Sequence, residues 1–267
     1  MDDTRRSWEQ RADESNRDIK GVLFRGLSVQ SNLLLHEWHA WIVLNVLLPR
    51  LSQRSRLLDL GCGYGRLSDV VARARPDIEI VGQDIASGYC RMFANSHDQC
   101  VLASAMQPPF RDACFDGILG VTCLMYVPRS SVPDTLASLN MLLRPRGVIL
   151  MLDPGLEMQQ LAASVRGRKA KSPTGGSGFG VMEYQQFLSR AGFTLEAGGG
   201  NPFLSSALMV PGLAKAKTRW MQALLGRVAW LDNREAGYTK LALHRWLFGV
   251  KHRNAKGGND ELGESLS

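Results

Sequence analysis

The sequence has no apolar run long enough to cross a bilayer and no apolar signal core at its start. The most apolar stretch, Leu33–Leu48, is interrupted by His36, Glu37, His39 and Asn45, whereas a membrane-spanning helix needs about 20 predominantly apolar residues. The first residues, MDDTRRSWEQ, are polar and charged, unlike a secretory signal. We therefore expect a cytoplasmic protein without a transmembrane segment, in which a buried helix runs to about Leu48.

Cysteine is scarce and shows no pairing pattern. There are 5 cysteines, and no two of them form a CxxC pair. An odd number without such spacing argues against a disulfide framework or a zinc site, and fits reduced thiols in a reducing compartment. We predict no metal site.

Acidic residues are outnumbered by basic ones, which gives the 267-residue chain a formal net charge of +7. A basic balance favours anionic partners such as nucleic acid, anionic lipid or a phosphorylated substrate. Basic residues cluster at 166–171 and 251–256, and Trp220 and Trp230 lie in a helical pattern over 204–231. Peripheral membrane contact is therefore one hypothesis. Nucleic acid is a less favoured partner, because no separate RNA-binding module is recognisable.

Strand and helix patterns alternate along most of the chain, which predicts a parallel sheet with right-handed crossovers. The fold class we expect is α/β, a Rossmann-like, doubly wound and mostly parallel seven-stranded sheet with an N-terminal helical cap and a C-terminal helical insertion. The predicted strands are Arg56–Leu60, Ile78–Gly82, Cys100–Ala103, Asp116–Val121, Val148–Leu152, Phe193–Glu196 and Arg245–Val250.

The domain organisation follows from the same pattern. Residues 1–50 form a helical arm or cap, and residues 51–252 form the main domain, with the helical insertion at 204–231. The regular pattern lapses at 155–180, which is basic and then rich in glycine and serine; a long loop of this kind is either functional, such as a lid, or disordered. Residues 253–267 are expected to form a flexible tail.

The strongest motif is the stretch LLDLGCGYG at 57–65, where an apolar strand runs into a glycine-rich turn before a helix. Glycine lets the backbone turn sharply and approach a ligand closely. Arg66 stands where a dinucleotide fingerprint has its third glycine, and the carboxylate of Asp59 would repel a pyrophosphate. The pattern therefore favours a ligand that is cationic near the turn.

A second acidic residue, Asp84, stands two residues after the end of the next predicted strand. A carboxylate at this point can accept hydrogen bonds from both hydroxyl groups of a ribose. Together, the two motifs indicate a nucleoside-containing ligand.

These motifs, followed in order by LASAM at 102–106 and LRPRG at 143–147, resemble the class I S-adenosylmethionine-dependent methyltransferases, especially the methyltransferase-11-like group that acts on small molecules. The resemblance covers about 56–153 and implies that S-adenosylmethionine is the cofactor. It implies transfer of a methyl group by in-line displacement to a small-molecule or lipid-like acceptor.

The resemblance also implies roles for individual residues. The glycine turn would surround the methionine part of the cofactor, Asp84 would hold the ribose, and Ser104 would stand where many relatives have an acidic residue that reads the adenine. The residues expected to bind the cofactor are Asp59, Gly61, Cys62, Gly63, Gly65, Asp84, Ile85, Ser104, Ala105, Met106, Val121 and Thr122.

No fixed catalytic base is expected in such a family. His36 and His39 share a helix face and can act as bases near neutral pH, and Tyr126 follows the fourth predicted strand, where an acceptor would approach. We take these three as the catalytic candidates. Glu37 and His244 are weaker ones.

Three other functions are compatible with the sequence. An RNA methyltransferase fits the net charge, although no NPPY-like tetrapeptide follows the fourth strand, where TCLM stands at 122–125. An NAD-dependent oxidoreductase is disfavoured by Asp59 and by the missing third glycine. A cofactor-binding regulatory or scaffold protein without turnover is the alternative outside enzymes.

Overall fold

A central sheet organises the chain in the computed structural model, which describes residues 2–15, 17–165, 175–210, 212–213, 219–235, 237 and 239–252. Its strands are β1 (Arg56–Leu60), β2 (Glu79–Asp84), β3 (Gln99–Leu102), β4 (Phe115–Val121), β5 (Leu143–Pro154), β6 (Phe193–Gly200) and β7 (His244–Lys251). They lie in the order β3-β2-β1-β4-β5-β7-β6. β7 is antiparallel to both neighbours, and the other pairings are parallel. The predicted Rossmann-like, mostly parallel seven-stranded sheet is confirmed.

The order of the strands reverses between β1 and β4, which pair directly with each other. In open α/β sheets, ligands bind beyond the carboxyl ends of the strands at such a switch point. The glycine turn after β1 lies at this position.

The helices cover both faces of the sheet and its carboxyl edge. They are α1 (Asp2–Ser15), α2 (Ile19–Val22), α3 (Val29–Ile42), α4 (Ser68–Ala74), α5 (Ser87–Ala94), α6 (Val132–Leu142), α7 (Leu156–Val165), α8 (Val181–Arg190), α9 (Pro202–Met209) and α10 (Arg219–Glu235). None of the helices in these described ranges combines the length and the apolar character that a membrane crossing requires.

Three elements differ from the sequence-based prediction. The long buried helix ends at Ile42 and passes into a π-helical turn at Val43–Leu47. The sequence pattern does not predict this change, because the spacing of apolar residues does not reveal the hydrogen-bond pattern of the backbone. β5 begins at Leu143 rather than Val148: Leu143 pairs with Phe115, and the register shifts before Gly117 pairs with Val148.

The segment 155–180 is also more regular than expected. Leu156–Val165 forms α7, and residues 175–180 run back to pack beside β5, where Phe179 N donates to Pro154 O at 2.9 Å. Residues 166–174, which include the first basic cluster, and the tail 253–267 lie outside the described residues. The predicted insertion at 204–231 contains two helices, α9 and α10.

Alternating side chains of β1 enter two different cores. Leu58 and Leu60 pack with α6 and α8 on one face, and Leu57 packs with α3 and α4 on the other. Burial of the strand on both faces explains why it reads as a continuous apolar run. It also makes the glycine turn the end of a rigid element.

Candidate active site

A cavity opens at the carboxyl ends of β1, β2 and β4. All the residues predicted to bind the cofactor line it except Gly65, and residues of the N-terminal arm close its other side. The lining residues from the prediction are Asp59, Gly61, Cys62, Gly63, Asp84, Ile85, Ser104, Ala105, Met106, Val121 and Thr122. The motifs that are separate in sequence therefore meet at one place.

The glycine turn owes its shape to three left-handed residues. Gly61, Gly63 and Gly65 have φ angles of 70°, 56° and 90°, which residues other than glycine rarely adopt. The amides of Gly61 and Cys62 donate to Gln83 O at 2.7 and 3.0 Å, which fastens the turn to β2. Gly65 does not line the cavity but packs against α5, where an added Cβ would lie 3.1 Å from Phe93 Cδ2.

Two carboxyl groups stand at the ends of adjacent strands and are almost fully buried. Asp59 Oδ2 accepts from Ser68 Oγ at 2.7 Å, and Asp84 accepts from the amides of Gly63 and Ala86, each at 2.9 Å. Burial raises the pKa of each carboxyl to about 6, although these hydrogen bonds act in the opposite direction. Both groups line the cavity and keep further acceptor capacity for a ligand.

Gln83 is a site residue that sequence reasoning missed. Its Nε2 donates to Ser104 O at 2.9 Å, which orients the amide. Within the described residues its Oε1 is buried and accepts no hydrogen bond, and buried acceptors of this kind are rare. The signal in the sequence was an amide at the end of the apolar run Ile80-Val81-Gly82. Gln83 borders the same cavity as Ser104.

Arg66 is the second missed residue. It lines the cavity but forms no ion pair within the described residues, and burial lowers its pKa to about 10. Its guanidinium lies 2.8 Å from Nδ1 of His36 and 3.2 Å from Nδ1 of His39. Since a guanidinium only donates, both imidazoles accept from it through Nδ1. A cation that forms no contact ion pair with a described residue therefore borders the cavity.

The histidines predicted as catalytic bases do not line this cavity. His39 is buried behind Arg66, and His36 borders a shallower cavity between α3 and α4. Burial and the neighbouring Arg66 lower the pKa of both groups, that of His36 to about 4. Because both Nδ1 atoms are engaged by Arg66, their position gives no support to the prediction that they act as bases. Glu37 is exposed on α3, and His244 is buried beside His39.

Tyr126, the third catalytic candidate, does line the cavity. The Trp8 ring of α1 meets its ring edge-on with centroids 5.1 Å apart. A Cβ added to Gly176 would lie 2.6 Å from Tyr126 Cε1, so the backbone at Gly176 packs closely against the same ring. Tyr126 is thus held between two segments distant in sequence.

Asp153, at the end of β5, fixes the 3₁₀ turn Leu124–Tyr126. Its carboxylate accepts from Met125 N at 3.1 Å and from Tyr184 Oη at 2.7 Å. Burial raises its pKa to about 7. Thr122, just before this turn, has a left-handed φ of 54°, and such strained residues concentrate at functional sites.

The N-terminal arm is anchored over the cavity by α1 and α2. Glu9 accepts from the amides of Ser87 and Gly88 at 2.7 and 3.2 Å, and so caps the first turn of α5. Val22 of α2 approaches the glycine turn so closely that a Cβ on Gly63 would lie 2.8 Å from its Cγ1. The cavity wall therefore includes the arm.

Comparison with known proteins agrees with this geometry. Residues 57–147, which contain β1 to the start of β5, match the family model described as "Methyltransferase domain". Residues 57–147 therefore match a methyltransferase domain, in agreement with the resemblance to class I S-adenosylmethionine-dependent methyltransferases. The family match places the glycine turn, Asp84 and Ser104 within that domain.

The methyltransferase domain has relatives of known name. The chain is 25% identical to the O-methyltransferase rstn1 of Aspergillus nomiae over 161 residues, which cover 52% of this chain and 70% of that protein. A structure from Galdieria sulphuraria, solved as a candidate sarcosine dimethylglycine methyltransferase, has a TM-score of 0.58 at 16% identity and covers 93% of this chain and 98% of that one. The geranyl diphosphate C-methyltransferase of Streptomyces coelicolor A3(2) has a TM-score of 0.54 at 12% identity, with coverages of 78% and 75%. At these identities, the two structures share the fold.

Proposed function

We propose that the cavity binds S-adenosylmethionine and that the chain methylates a small, largely apolar acceptor. The observation that carries the proposal is the pair Asp59 and Asp84, which end adjacent strands and open on one cavity beside a left-handed glycine turn. A nucleoside with a cationic amino acid tail needs one acceptor for its ribose hydroxyl groups and another near its ammonium group.

The residues present suit the parts of this cofactor. Asp84 would accept from the ribose hydroxyl groups, and Asp59 would accept from the ammonium group or from a water bound to it. Arg66 would pair with the carboxylate of the methionine part, since its guanidinium forms no contact ion pair with a described residue. Gln83 Oε1 would accept from the adenine amino group, a role that an acidic residue at position 104 has in many relatives.

The remaining wall supports an apolar acceptor. Trp8, Val22, Tyr126, Val127 and Pro128 line it, and their side chains are uncharged. The O-methyltransferase that is 25% identical to this chain is consistent with a hydroxyl acceptor. Tyr126 contributes the hydroxyl group that would orient the acceptor or, when ionised to the phenolate, would take its proton.

The bound cofactor supplies an electrophilic methyl group on a sulfonium. The chain has to bring the acceptor into line and keep water out. Orientation alone can contribute about 7–11 kcal/mol to the lowering of a barrier. The rigid ends of β1, β2 and β4 hold one reactant, and Trp8 and Tyr126 confine the other.

Calorimetry with S-adenosylhomocysteine tests the binding half of the proposal. We expect saturable binding that weakens at least about tenfold in Asp84→Asn, since hydrogen bonds to charged groups contribute about 1.5–3 kcal/mol. Asp98→Asn, an exposed carboxyl near the end of α5, is the matched control. The absence of binding heat from folded wild-type protein would contradict the proposal.

Transfer is tested separately with methyl-labelled S-adenosylmethionine. The acceptor panel contains hydroxylated aromatic compounds, isoprenoid alcohols and a bulk RNA sample. We expect the wild type to transfer label to a small apolar hydroxyl compound. Tyr126→Phe should lose this transfer while its affinity for the cofactor is unchanged. Label only in RNA would favour the alternative RNA methyltransferase. Binding without any labelled product would favour the scaffold alternative.

A further inference from the structure

The outward side of α10 is apolar although it faces solvent. Leu225 and Ala229 turn inward and are 1% and 8% exposed, whereas Trp220 and Leu224 are 68% and 45% exposed. At 3.6 residues per turn, Trp220, Leu224 and Arg227 fall on one helix face. A helix that is apolar on both sides is normally covered on both.

The two helices that pack against α10 also expose large apolar side chains. α10 packs against α3 and α9, and each of these exposes a large apolar side chain, Leu33 at 41% and Phe203 at 42%. Single exposed apolar residues are ordinary, but a group of them on packed helices marks an interaction surface. We call Trp220, Leu224 and Arg227 the α10 face.

Between Arg219 and Trp230, the charged residues of α10 are all basic. Arg219 and Arg227 are exposed and form no ion pair with any described residue. The first acidic residue of the helix, Asp232, is buried and accepts from the amides of Phe203 and Leu204 at 2.9 and 2.8 Å, which caps α9. The face thus combines tryptophan, leucine and arginine without a compensating exposed carboxylate between Arg219 and Asp232.

We infer that the α10 face docks on the surface of an anionic lipid bilayer. Tryptophan favours the boundary between headgroups and acyl chains, and arginine beside it is attracted to anionic lipid. A second copy of the chain fits less well, because a twofold interface built on this face would bring the arginines of two identical faces together without an exposed carboxylate from α10 between Arg219 and Trp230 to pair with them. The formal net charge of +7 also attracts the chain to an anionic surface.

The α10 face is one helix layer away from the cavity. Leu225 packs in the same apolar cluster as Ile19 of α2 and Leu23, the residue that follows α2, and Val22 of α2 lines the cavity. Docking would therefore bring the arm that covers the cavity close to the bilayer. The inference itself does not depend on the proposed function, because it rests on a surface outside the cavity.

Vesicle sedimentation with the full chain tests the inference. The probes are phosphatidylcholine vesicles with and without about one third phosphatidylglycerol. We expect at least about tenfold stronger binding to the anionic vesicles, with release at high salt as the charges are screened. The double variant Trp220→Ser/Leu224→Ser and the variant Arg227→Glu should each lose most of this binding.

Two control variants keep the test specific. Met182→Ser removes an apolar side chain that is 63% exposed on α8, and Arg111→Glu reverses an exposed charge after Phe110; both should bind like wild type. Circular dichroism checks that every variant is folded. Equal binding by wild type and the α10 variants would overturn the inference. A dimer in solution that Trp220→Ser dissociates, without vesicle binding, would assign the face to a second copy and would overturn it as well.

Discussion

Nε2 of His39 lies 2.9 Å from Nδ1 of His244, across 205 residues of sequence. Since Arg66 donates to Nδ1 of His39, the proton of this neutral imidazole is on Nε2, which donates to His244. The proton of His244 is then on its own Nε2, which is buried without a partner in the described residues. One arginine thus sets the tautomers of two histidines that join α3 to β7.

This pair should make the fold sensitive to acid. Burial lowers the pKa of His244 to about 3 and that of His39 well below its ordinary value. Below about pH 6.5 the unfolded chain therefore binds protons that the folded chain does not, and the free energy of unfolding falls as the pH falls. His244→Asn keeps an acceptor for His39 but removes the titrating group.

Urea unfolding at pH 7.5 and pH 5 measures this effect. Between these values we expect the wild type to lose about 2 kcal/mol more than His244→Asn, since one proton contributes about 1.4 kcal/mol per pH unit below the unfolded pKa. His252→Asn, an exposed histidine after β7, should behave like wild type. Parallel pH profiles for wild type and His244→Asn would show that the pair does not control acid stability.

Cofactor affinity should depend on pH through Asp84. Its folded pKa of about 6 means that it is protonated at pH 5 and ionised at pH 8, and the ionised form is the better acceptor. We expect S-adenosylhomocysteine to bind at least about tenfold more tightly at pH 8 than at pH 5. Titrations in buffers of different ionisation enthalpy should show proton release on binding near pH 6, and Asp84→Asn should reduce it. An affinity that is highest at pH 5 would contradict this role.

Arg66 should select ligands that carry a carboxylate. Wild type is expected to prefer S-adenosylhomocysteine to its decarboxylated analogue by about tenfold or more, because a charge-assisted hydrogen bond is lost. Arg66→Gln should bind the two ligands about equally. Arg73→Gln is the control, since Arg73 is exposed on α4 and borders the shallower cavity beside His36. If Arg66→Gln keeps the wild-type preference, the carboxylate lies elsewhere.

The sequence predicted the sheet and much of the cavity wall because these depend on local patterns. Leu57 and Leu58 reveal a strand buried on both faces, and the glycines that follow reveal the turn. The contacts of Arg66 with His36 and His39 could not be predicted, because helical spacing shows that two histidines share a face but not what that face meets. The β5 start at Leu143 was missed because Arg144-Pro145-Arg146 predicts a turn. These residues do bulge from the sheet, with Arg146 at a left-handed φ of 65°, but Leu143 before them already pairs with Phe115 of β4.

Gln83 offers the sharpest test of how the adenine is recognised. The amide is oriented by Ser104 O, and its Oε1 is the buried acceptor that no described residue satisfies. Gln83→Leu should weaken binding of S-adenosylhomocysteine about tenfold, the effect of one hydrogen bond to a buried acceptor. S-inosylhomocysteine, which has a carbonyl in place of the adenine amino group, should bind wild type at least about tenfold more weakly.

The losses of affinity caused by Gln83→Leu and by replacing the adenine amino group should not be additive if Gln83 and the amino group contact each other. Gln83→Leu is then expected to bind S-adenosylhomocysteine and S-inosylhomocysteine with nearly equal affinity. Gln107→Leu, an exposed amide three residues after Ser104, is the control and should discriminate like wild type. If Gln83→Leu weakened both ligands by the same factor, Gln83 would have a structural role, and the adenine amino group would have its acceptor elsewhere, with Ser104 as the next candidate.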